Sequence, residues 1–508
     1  MPAIVLATLN ARYAHASLGL RCLRANLGAL RGEAEIAEFV VGSRAEEVVE
    51  QLLARAPRIV GFGVYIWNVE ETTRIAGLLK TVAPQVTVVV GGPEVSHEVE
   101  AQSICRIADY VVTGWGEVGF ATLARQILHG PRPPAKVHAG AQPPLAEIAL
   151  PYDEYTAEDL RCRHVYVEAS RGCPFKCEFC LSALDRSAWP FPREAFLAQL
   201  ARLYERGARR FRFVDRTFNL KVDTSLAILQ FFLDRIEADP TGPPFAHFEL
   251  IPDHLPERLK DTVARFPPGT LQLEIGIQTF NEEVQRLISR RQDNAAAEAN
   301  LLWLRQRSNA HLHVDLIAGL PGEDVASFAR GFDRLVALRP HEIQFGILKR
   351  LRGAPIARHA EAFGLRFNQQ PPYNVLATDR IDFATMQRLS RFARYWDLFA
   401  NSGRFARTLP LLLGEAPFES FLAFADFLYA ATGRTQAIAN ERLYELAHAH
   451  LLARGVAAAE AAEVLAADYL ASGARGKLAL VEPRPHADAR RREAGAATPQ
   501  RQRRHLRA

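Results

Sequence analysis

One pattern repeats through the first 130 residues: a short β-branched apolar run, then a longer amphipathic stretch. Runs at Ile4–Thr8, Ile36–Val41, Ile59–Val64, Val86–Val90 and Tyr110–Val112 read as strands, with helical material around 17–30, 44–56, 69–82 and 117–129. The connections are too long for hairpins. Parallel pairing with helices over both faces is the economical solution, which predicts a flavodoxin-like sheet. Ligands of such sheets sit beyond the carboxyl ends of the strands. Those ends here read Asn10-Ala-Arg-Tyr13, Tyr65-Ile-Trp67-Asn68, Gly91-Gly-Pro-Glu94 and Thr113-Gly-Trp-Gly-Glu117.

A Pro-rich passage from Pro131 to Pro151 interrupts the periodicity and marks a boundary. A second alternating series follows, with strand candidates at Val165–Ala169, Arg209–Val214, Ala246–Leu250, Leu271–Gly276, His311–Ile317 and Glu342–Ile347. Six strands, each followed by helical material, predict a partial (β/α)6 barrel whose active side is again the carboxyl edge. After Pro371 the pattern turns helical, over 381–400, 418–432, 439–454 and 457–470, and the aromatics Phe392, Tyr395, Trp396 and Phe399 recur at core spacing. The expected organisation is an α/β chain with domains at 1–145, 146–375 and 376–482, the last α-rich, and a basic disordered tail at 483–508.

Charge is informative only once located. The net charge is +5, and residues 481–508 alone hold eight Arg against three acidic residues, so the body is neutral. A solvated end is the expectation for this tail; an RNA-binding module is the minor alternative it prompts. Six Cys in 508 residues exclude a disulfide scaffold, and no apolar run approaches membrane-spanning length. The start shows no secretory leader, and a cytoplasmic location is expected.

Half of the cysteines fall within eight residues, in Cys173-Pro-Phe-Lys-Cys177-Glu-Phe-Cys180, directly after the first strand of the second series. Three thiolates on a short loop can hold three irons of a four-iron cluster and leave the fourth iron open. A closed zinc site or a closed electron-transfer cluster would require a fourth ligand, and Cys22, Cys105 and Cys162 are isolated.

This C-x3-C-x2-C spacing, with Phe179 before the last Cys, resembles the radical S-adenosylmethionine (SAM) superfamily. The resemblance implies a [4Fe-4S] cluster on Cys173, Cys177 and Cys180, with SAM chelating the open iron. Reductive cleavage of the sulfonium then yields a 5′-deoxyadenosyl radical that abstracts substrate hydrogen. Val214-Asp-Arg-Thr-Phe-Asn219 stands where relatives carry an acidic turn at the SAM amino group, which makes Asp215 the candidate. Glu274-Ile-Gly-Ile-Gln278 resembles the family's E-x-G-x-Q segment, and Glu274 and Gln278 are expected to orient polar groups of SAM. His311-Leu-His-Val-Asp-Leu-Ile-Ala-Gly-Leu-Pro-Gly-Glu323 resembles the fifth-strand ending, with Asp315 as the candidate catalytic or substrate-binding group. Arg286 or Arg291 is a further candidate for the SAM carboxylate.

The strand ends of the first series resemble the cobalamin-binding domain joined to one large radical SAM group. That implies a corrin across the carboxyl edge, approached by Gly91, Gly92 and Gly114, with Asn10, Ser17, Glu94 and Glu117 bonding its amides or nucleotide tail, and Tyr65 and Trp67 offering apolar surface. The D-x-H-x-x-G motif for a histidine ligand to cobalt is missing from the sequence, and Trp115 replaces the Glu common in the family's G-E-G-E turn. The whole chain thus resembles a cobalamin-dependent radical SAM enzyme of a branch with a helical carboxyl-terminal domain. The implied reaction is methylation of an unactivated carbon or a phosphinate phosphorus of a small-molecule or carrier-bound substrate. A non-methylating cyclase, ring-contraction enzyme or oxidase on the same architecture is the alternative. A flavodoxin or ferredoxin is the expected electron donor; nucleic acid is not an expected partner.

Overall fold

A computed structural model of the chain describes residues 1–474, 476, 478 and 497–506. It divides into two compact units. The first holds Met1–Arg216, Lys349–Ala357 and Asn368–Asn374; the second holds Thr217–Leu348, Arg358–Phe367 and Val375–Ala508.

The first unit opens with six parallel strands: β1 (Ile4–Asn10), β2 (Ala34–Val40), β3 (Ile59–Gly63), β4 (Thr87–Gly91), β5 (Tyr110–Thr113) and β6 (Val137–Ala139). Their order is β2-β1-β3-β4-β5-β6, the doubly wound arrangement expected. Every residue of β1 is buried because both faces are covered, which is why Ile4–Ala7 reads as an unbroken apolar run and the polar Thr8 and Asn10 come only toward its end. Val5, Ala7 and Leu9 enter one core with Val48, Leu52 and Leu79; Ile4 and Leu6 enter the other with Leu20, Phe120 and Ile127. The strand β6 was missed in the sequence because it is short, largely exposed and set in the Pro-rich passage. The helix expected over 17–30 stops at Ala25: Asn26 closes it, and Gly28 adopts a left-handed φ of 59° before a 3-10 turn.

The second series contributes two parallel strands to the first unit, Val165–Val167 and Arg210–Phe213. In the second unit four more run parallel: Phe245–Leu250, Leu271–Gln278, His311–Ala318 and Glu342–Ile347. This is the partial (β/α)6 barrel class. The α-rich part follows with helices Phe383–Phe399, Pro417–Thr432, Asn440–Ala453 and Ala458–Ser472, and Phe392, Tyr395, Trp396 and Phe399 are core residues as expected.

The tail departs from expectation. Residues 497–506 are not disordered: Gln500–His505 is a helix, and Ala497 and Gln502 are buried. Arg501 donates Nε–H to the Asn401 carbonyl at 2.6 Å and pairs with Glu342 at 2.9 Å and Asp397 at 2.6 Å, and Thr498 Oγ1 donates to the Gly269 carbonyl at 2.6 Å. Charge composition suggested solvation, but these carboxylates and carbonyls supply partners that let the arginine dock. The remainder of the tail, including Arg490–Arg492, lies outside the described residues. Among the described residues no helix is long and apolar enough to cross a membrane.

Candidate functional site

The cysteine loop is framed before it begins. The two-residue strand Ser170–Arg171 pairs antiparallel with Trp189–Pro190, so both ends of the 172–188 excursion are fixed. Gly172 sits at φ 86°, and a β-carbon there would lie 2.7 Å from Ser187 Oγ and 2.9 Å from the Ala188 nitrogen, so only glycine fits. Cys173 N–H donates to the Asp185 carbonyl at 2.7 Å, and Cys180 N–H to the Cys177 carbonyl at 3.1 Å. All three thiols are free; Cys173 and Cys177 are buried, Cys180 and Phe179 partly so. Burial, reinforced by the neighbouring Cys180 and Cys177 sulfurs against a hydrogen bond involving the Phe175 backbone, pushes the Cys173 thiol up to about 11. Among the described residues no group of three His, Cys, Asp or Glu is gathered tightly enough for a single metal ion. A cluster, whose corner irons stand apart, takes one thiolate per iron, and three soft donors on one clamped loop fit that group.

Asp215 is only 3% exposed. It accepts from Ala169 N–H at 3.0 Å and Ser170 Oγ at 2.6 Å, which places it beneath the start of the cysteine loop. Burial raises its carboxyl to about 6 although these donors pull the other way.

A cavity of about 380 Å3 opens beside this loop, within the same unit. Its walls include Gly61, Gly63, Gly91, Gly92, Gly114 and Gly116 at and just beyond the strand ends, Leu18, Leu20, Cys22 and Leu23 from the first helix, and Glu168, Arg171, Gly172 and Asp185 from the frame of the cysteine loop. Gly92 has φ 114°, and a β-carbon there would lie 2.5 Å from the Val64 carbonyl oxygen; one on Gly116 would meet Leu23 at 2.8 Å. Glycine at these positions keeps β-carbons out of that part of the wall. A largely apolar slot with a few polar groups suits a flat heteroaromatic nucleotide, so the residues fit a corrinoid's tail.

The other expected cobalamin residues are variously engaged. Tyr65 and Trp67 stack with ring centroids 4.5 Å apart and 5° between planes, and Trp67 remains 48% exposed. Asn10 donates to the His15 carbonyl at 2.9 Å and to Glu38 at 3.0 Å. Ser17 is the N-cap of the first helix, and its backbone N–H donates to Glu38 at 2.5 Å. Glu94 is buried under Tyr373 Oη at 2.6 Å and Arg352 Nε at 3.0 Å, so its carboxylate holds a later segment of the chain. Gly114 N–H donates to Ser96 Oγ at 3.1 Å. Glu117 pairs with Arg171 at 2.6 Å, and Arg171 also reaches Glu168 at 2.9 Å. Sequence reasoning missed Glu38, which gathers Asn10, Ser17, Arg21 (2.9 Å) and Arg163 (2.8 Å), because a lone Glu on a strand carries no spacing signal. It also missed Arg171 and Glu168 as cavity residues, although both flank the first Cys.

In the second unit the strand pairing sets Glu274 opposite His313 and Gly276 opposite Asp315, with a bulge between Gly276 and Gln278. Gln278 takes φ 69°, an uncommon conformation for a side-chain-bearing residue. Glu274 and His247 Nε2 are 3.0 Å apart. Asp315 lies 3.4 Å from His313 Nε2, and Glu342 lies 3.7 Å from His313 Nδ1 and 2.9 Å from His311 Nε2. Burial alone would lower the His313 imidazole, but the bonded Asp315, with Glu274 and Glu342 near, raises it to about 9. Arg286 stands in an exposed pair with Glu283 at 3.9 Å, the surface role open to it from sequence.

Comparison with known proteins agrees with this geometry. Residues 4–124 match the B12-binding domain, 167–335 the radical SAM superfamily, and 361–505 a domain described as a protein of unknown function, DUF4080. An uncharacterized methyltransferase of Pyrococcus horikoshii is 31% identical over 206 residues, covering 35% of this chain and 44% of that protein. A 2-(S-pantetheinyl)-carbapenam-3-carboxylate methyltransferase of Streptantibioticus cattleyicolor is 27% identical over 353 residues, covering 61% and 50%. The chain thus spans about half the length of the curated relatives it matches. Among solved structures, the cobalamin-dependent SAM radical enzyme OxsB shares the fold with a TM-score of 0.63 at 14% identity, over 90% of this chain and 80% of that one. The radical SAM methyltransferase TsrM from Kitasatospora setae gives 0.58 at 18%, over 73% and 79%. With a B12-binding domain and a radical SAM domain in succession on one chain, the protein belongs to the cobalamin-dependent radical SAM enzymes, whose cofactors are a [4Fe-4S] cluster, SAM and cobalamin.

Proposed function

We propose that the protein is a methyltransferase of this family, acting on an unactivated carbon or a phosphinate phosphorus of a small molecule, free or carried on a larger group. The observation that carries the reading is that Gly172 and Asp185, which hold Cys173 in place, also line the glycine-walled cavity at Gly91 and Gly92. One segment of chain therefore serves both cofactor sites, as a reaction that uses both requires. The names of two relatives, each a methyltransferase, support methyl transfer as the outcome. The pantetheinyl group in one name supports a substrate that bears a carrier arm.

When bound, the cluster, SAM and cobalamin supply sulfonium cleavage and a methyl group that a radical can accept. The chain's part is placement. Cys173, Cys177 and Cys180 are the thiolates for the cluster, and Asp215 holds the backbone from which they project. Gly91, Gly92 and Gly114 leave room for the corrinoid, and the Tyr65–Trp67 pair gives it an apolar floor. Glu274 and Gln278 orient SAM, and Asp315, paired to a protonated His313, binds or aligns substrate. The domain division at 145, 375 and 482 belongs to this reading, as does reduction by a flavodoxin or ferredoxin.

The test is anaerobic reconstitution with iron, sulfide, cobalamin, SAM carrying a deuterated methyl and a low-potential chemical reductant, supplied with an extract of small molecules. Methyl transfer requires S-adenosylhomocysteine and 5′-deoxyadenosine in equal amounts together with a labelled product. Deoxyadenosine with an altered but unlabelled product would overturn it in favour of the non-methylating alternative.

A further inference from the structure

The polar end of the cavity is not generic. Arg171, Glu117 and Glu168 form a cluster whose side chains are 12%, 6% and 17% exposed. The guanidinium is fixed from the side by the Trp115 ring, 4.8 Å away, and the Phe191 ring at 5.6 Å. Its Nη2 pairs with Glu117 at 2.6 Å and its Nε–H donates to Glu168 at 2.9 Å. Each carboxylate has about four lone-pair sites and yields one to the arginine, so Glu117 and Glu168 keep acceptor sites in the wall of the slot. Burial raises the Glu168 carboxyl to about 7 against the opposing pull of Arg171.

Resting on the reading that this cavity holds the nucleotide of a corrinoid, we infer that Glu168 and Glu117 select the base of that nucleotide, favouring an aminopurine over dimethylbenzimidazole. An aminopurine offers an exocyclic amine to the two carboxylates. Dimethylbenzimidazole presents methyl groups at the same edge and leaves the acceptors desolvated without a donor, which costs affinity. The glycine walls accept either flat ring, so the discrimination falls on the polar end.

The full-length protein, freed of corrinoid and carrying its reconstituted cluster, is titrated by equilibrium dialysis with three probes. These are cobalamin, its analogue with adenine as the lower base, and the corrinoid amide that lacks any nucleotide. The adenine form should bind about tenfold tighter than cobalamin, the value of one hydrogen bond to a charged acceptor. Glu168→Leu should bring that ratio close to one while affinity for the nucleotide-free probe stays at the parent level; because Glu168 also holds Arg171, the ratio is read per corrinoid bound and not from the cluster. Glu168→Gln, which keeps one acceptor, should restore part of the ratio. Cobalamin binding as tightly as the adenine form in the parent, or a ratio unchanged in Glu168→Leu, overturns the inference. If the nucleotide-free probe matches both others, the cavity is not a nucleotide site. If none of the three binds, the assignment of the protein to cobalamin falls as well.

Discussion

Replacing Asp215 separates a carboxylate that touches SAM from one that positions the cluster loop. Its oxygens accept from Ala169 N–H at 3.0 Å and Ser170 Oγ at 2.6 Å, and Ala169 is 5% exposed. Asp215→Ala strips the partner from a buried amide and a hydroxyl, each worth about 1–3 kcal/mol when left unmade, and the hydroxyl can rotate to recover part. The expected loss is about 2–4 kcal/mol of local stability, read as amide exchange roughly 30- to 1000-fold faster over residues 165–172. Iron per chain after reconstitution should fall with it. Asp215→Asn keeps an acceptor for the Ala169 amide and should cost less than about 1 kcal/mol. The carboxyl also carries a pH signature. Its folded value is raised to about 6, so its contribution is fully present below the ordinary 3.8 and is lost as pH rises through 6. That fall, on the order of 3 kcal/mol from burial bookkeeping, should flatten in Asp215→Asn. Unchanged exchange and iron content in Asp215→Ala would refute the positioning role. Loss of SAM binding in Asp215→Asn with the Ala169 amide still protected would put the charge on SAM instead.

Replacing Cys173, Cys177 and Cys180 together with Ala should abolish iron loading and SAM cleavage while corrinoid affinity stays within about twofold by dialysis, because their side chains do not line the cavity. Trp67→Ala should lower corrinoid retention through gel filtration more than it lowers SAM cleavage, since the exposed ring stacks only on Tyr65. Gly92→Ala puts a β-carbon 2.5 Å from the Val64 carbonyl at φ 114° and should cost about 1–3 kcal/mol of stability, read by urea unfolding, with corrinoid affinity falling alongside. Asp315→Asn should return the His313 imidazole, seen by NMR titration, from about 9 toward its ordinary 6.5; that raised value means stability is held below 6.5 and lost as pH passes 9.

The first sheet was legible because its physics is local. Strands buried on both faces are largely apolar, and the helices between them are amphipathic, so Ile4–Asn10 and Ile59–Gly63 announce themselves. The cysteine loop was legible for a different reason, since three soft ligands at fixed spacing have few other uses. The roles of Glu94 and Asp215 were not. Each sits at the strand end the pattern specifies, yet Glu94 is taken by Tyr373 and Arg352, hundreds of positions later in sequence, and Asp215 by a backbone amide. A single sequence shows that a carboxylate stands at a strand end, not which donor arrives from elsewhere. The docked helix Gln500–His505 failed to register for the same reason: its burial depends on Glu342, Asp397 and Gln272, which composition cannot locate.

The division of labour inside the segment 168–190 explains why both cofactor sites depend on a loop whose cysteines line only one of them. Gly172 and Asp185 are shared: each forms part of the cavity wall, and each fixes Cys173, one through its φ of 86° and the other through its carbonyl. Arg171 is anchored from the sheet side by Glu117, from the loop side by Glu168, and on its face by Trp115, so the backbone entering the cysteine loop inherits its register from the cavity wall. A buried guanidinium held by two carboxylates has little freedom, because releasing either leaves charge unpaired out of water. The position of the Cys173 thiol is therefore set by the same ion pairs that close the end of the cavity. Removing a cysteine spares the wall, whereas moving the wall displaces Cys173.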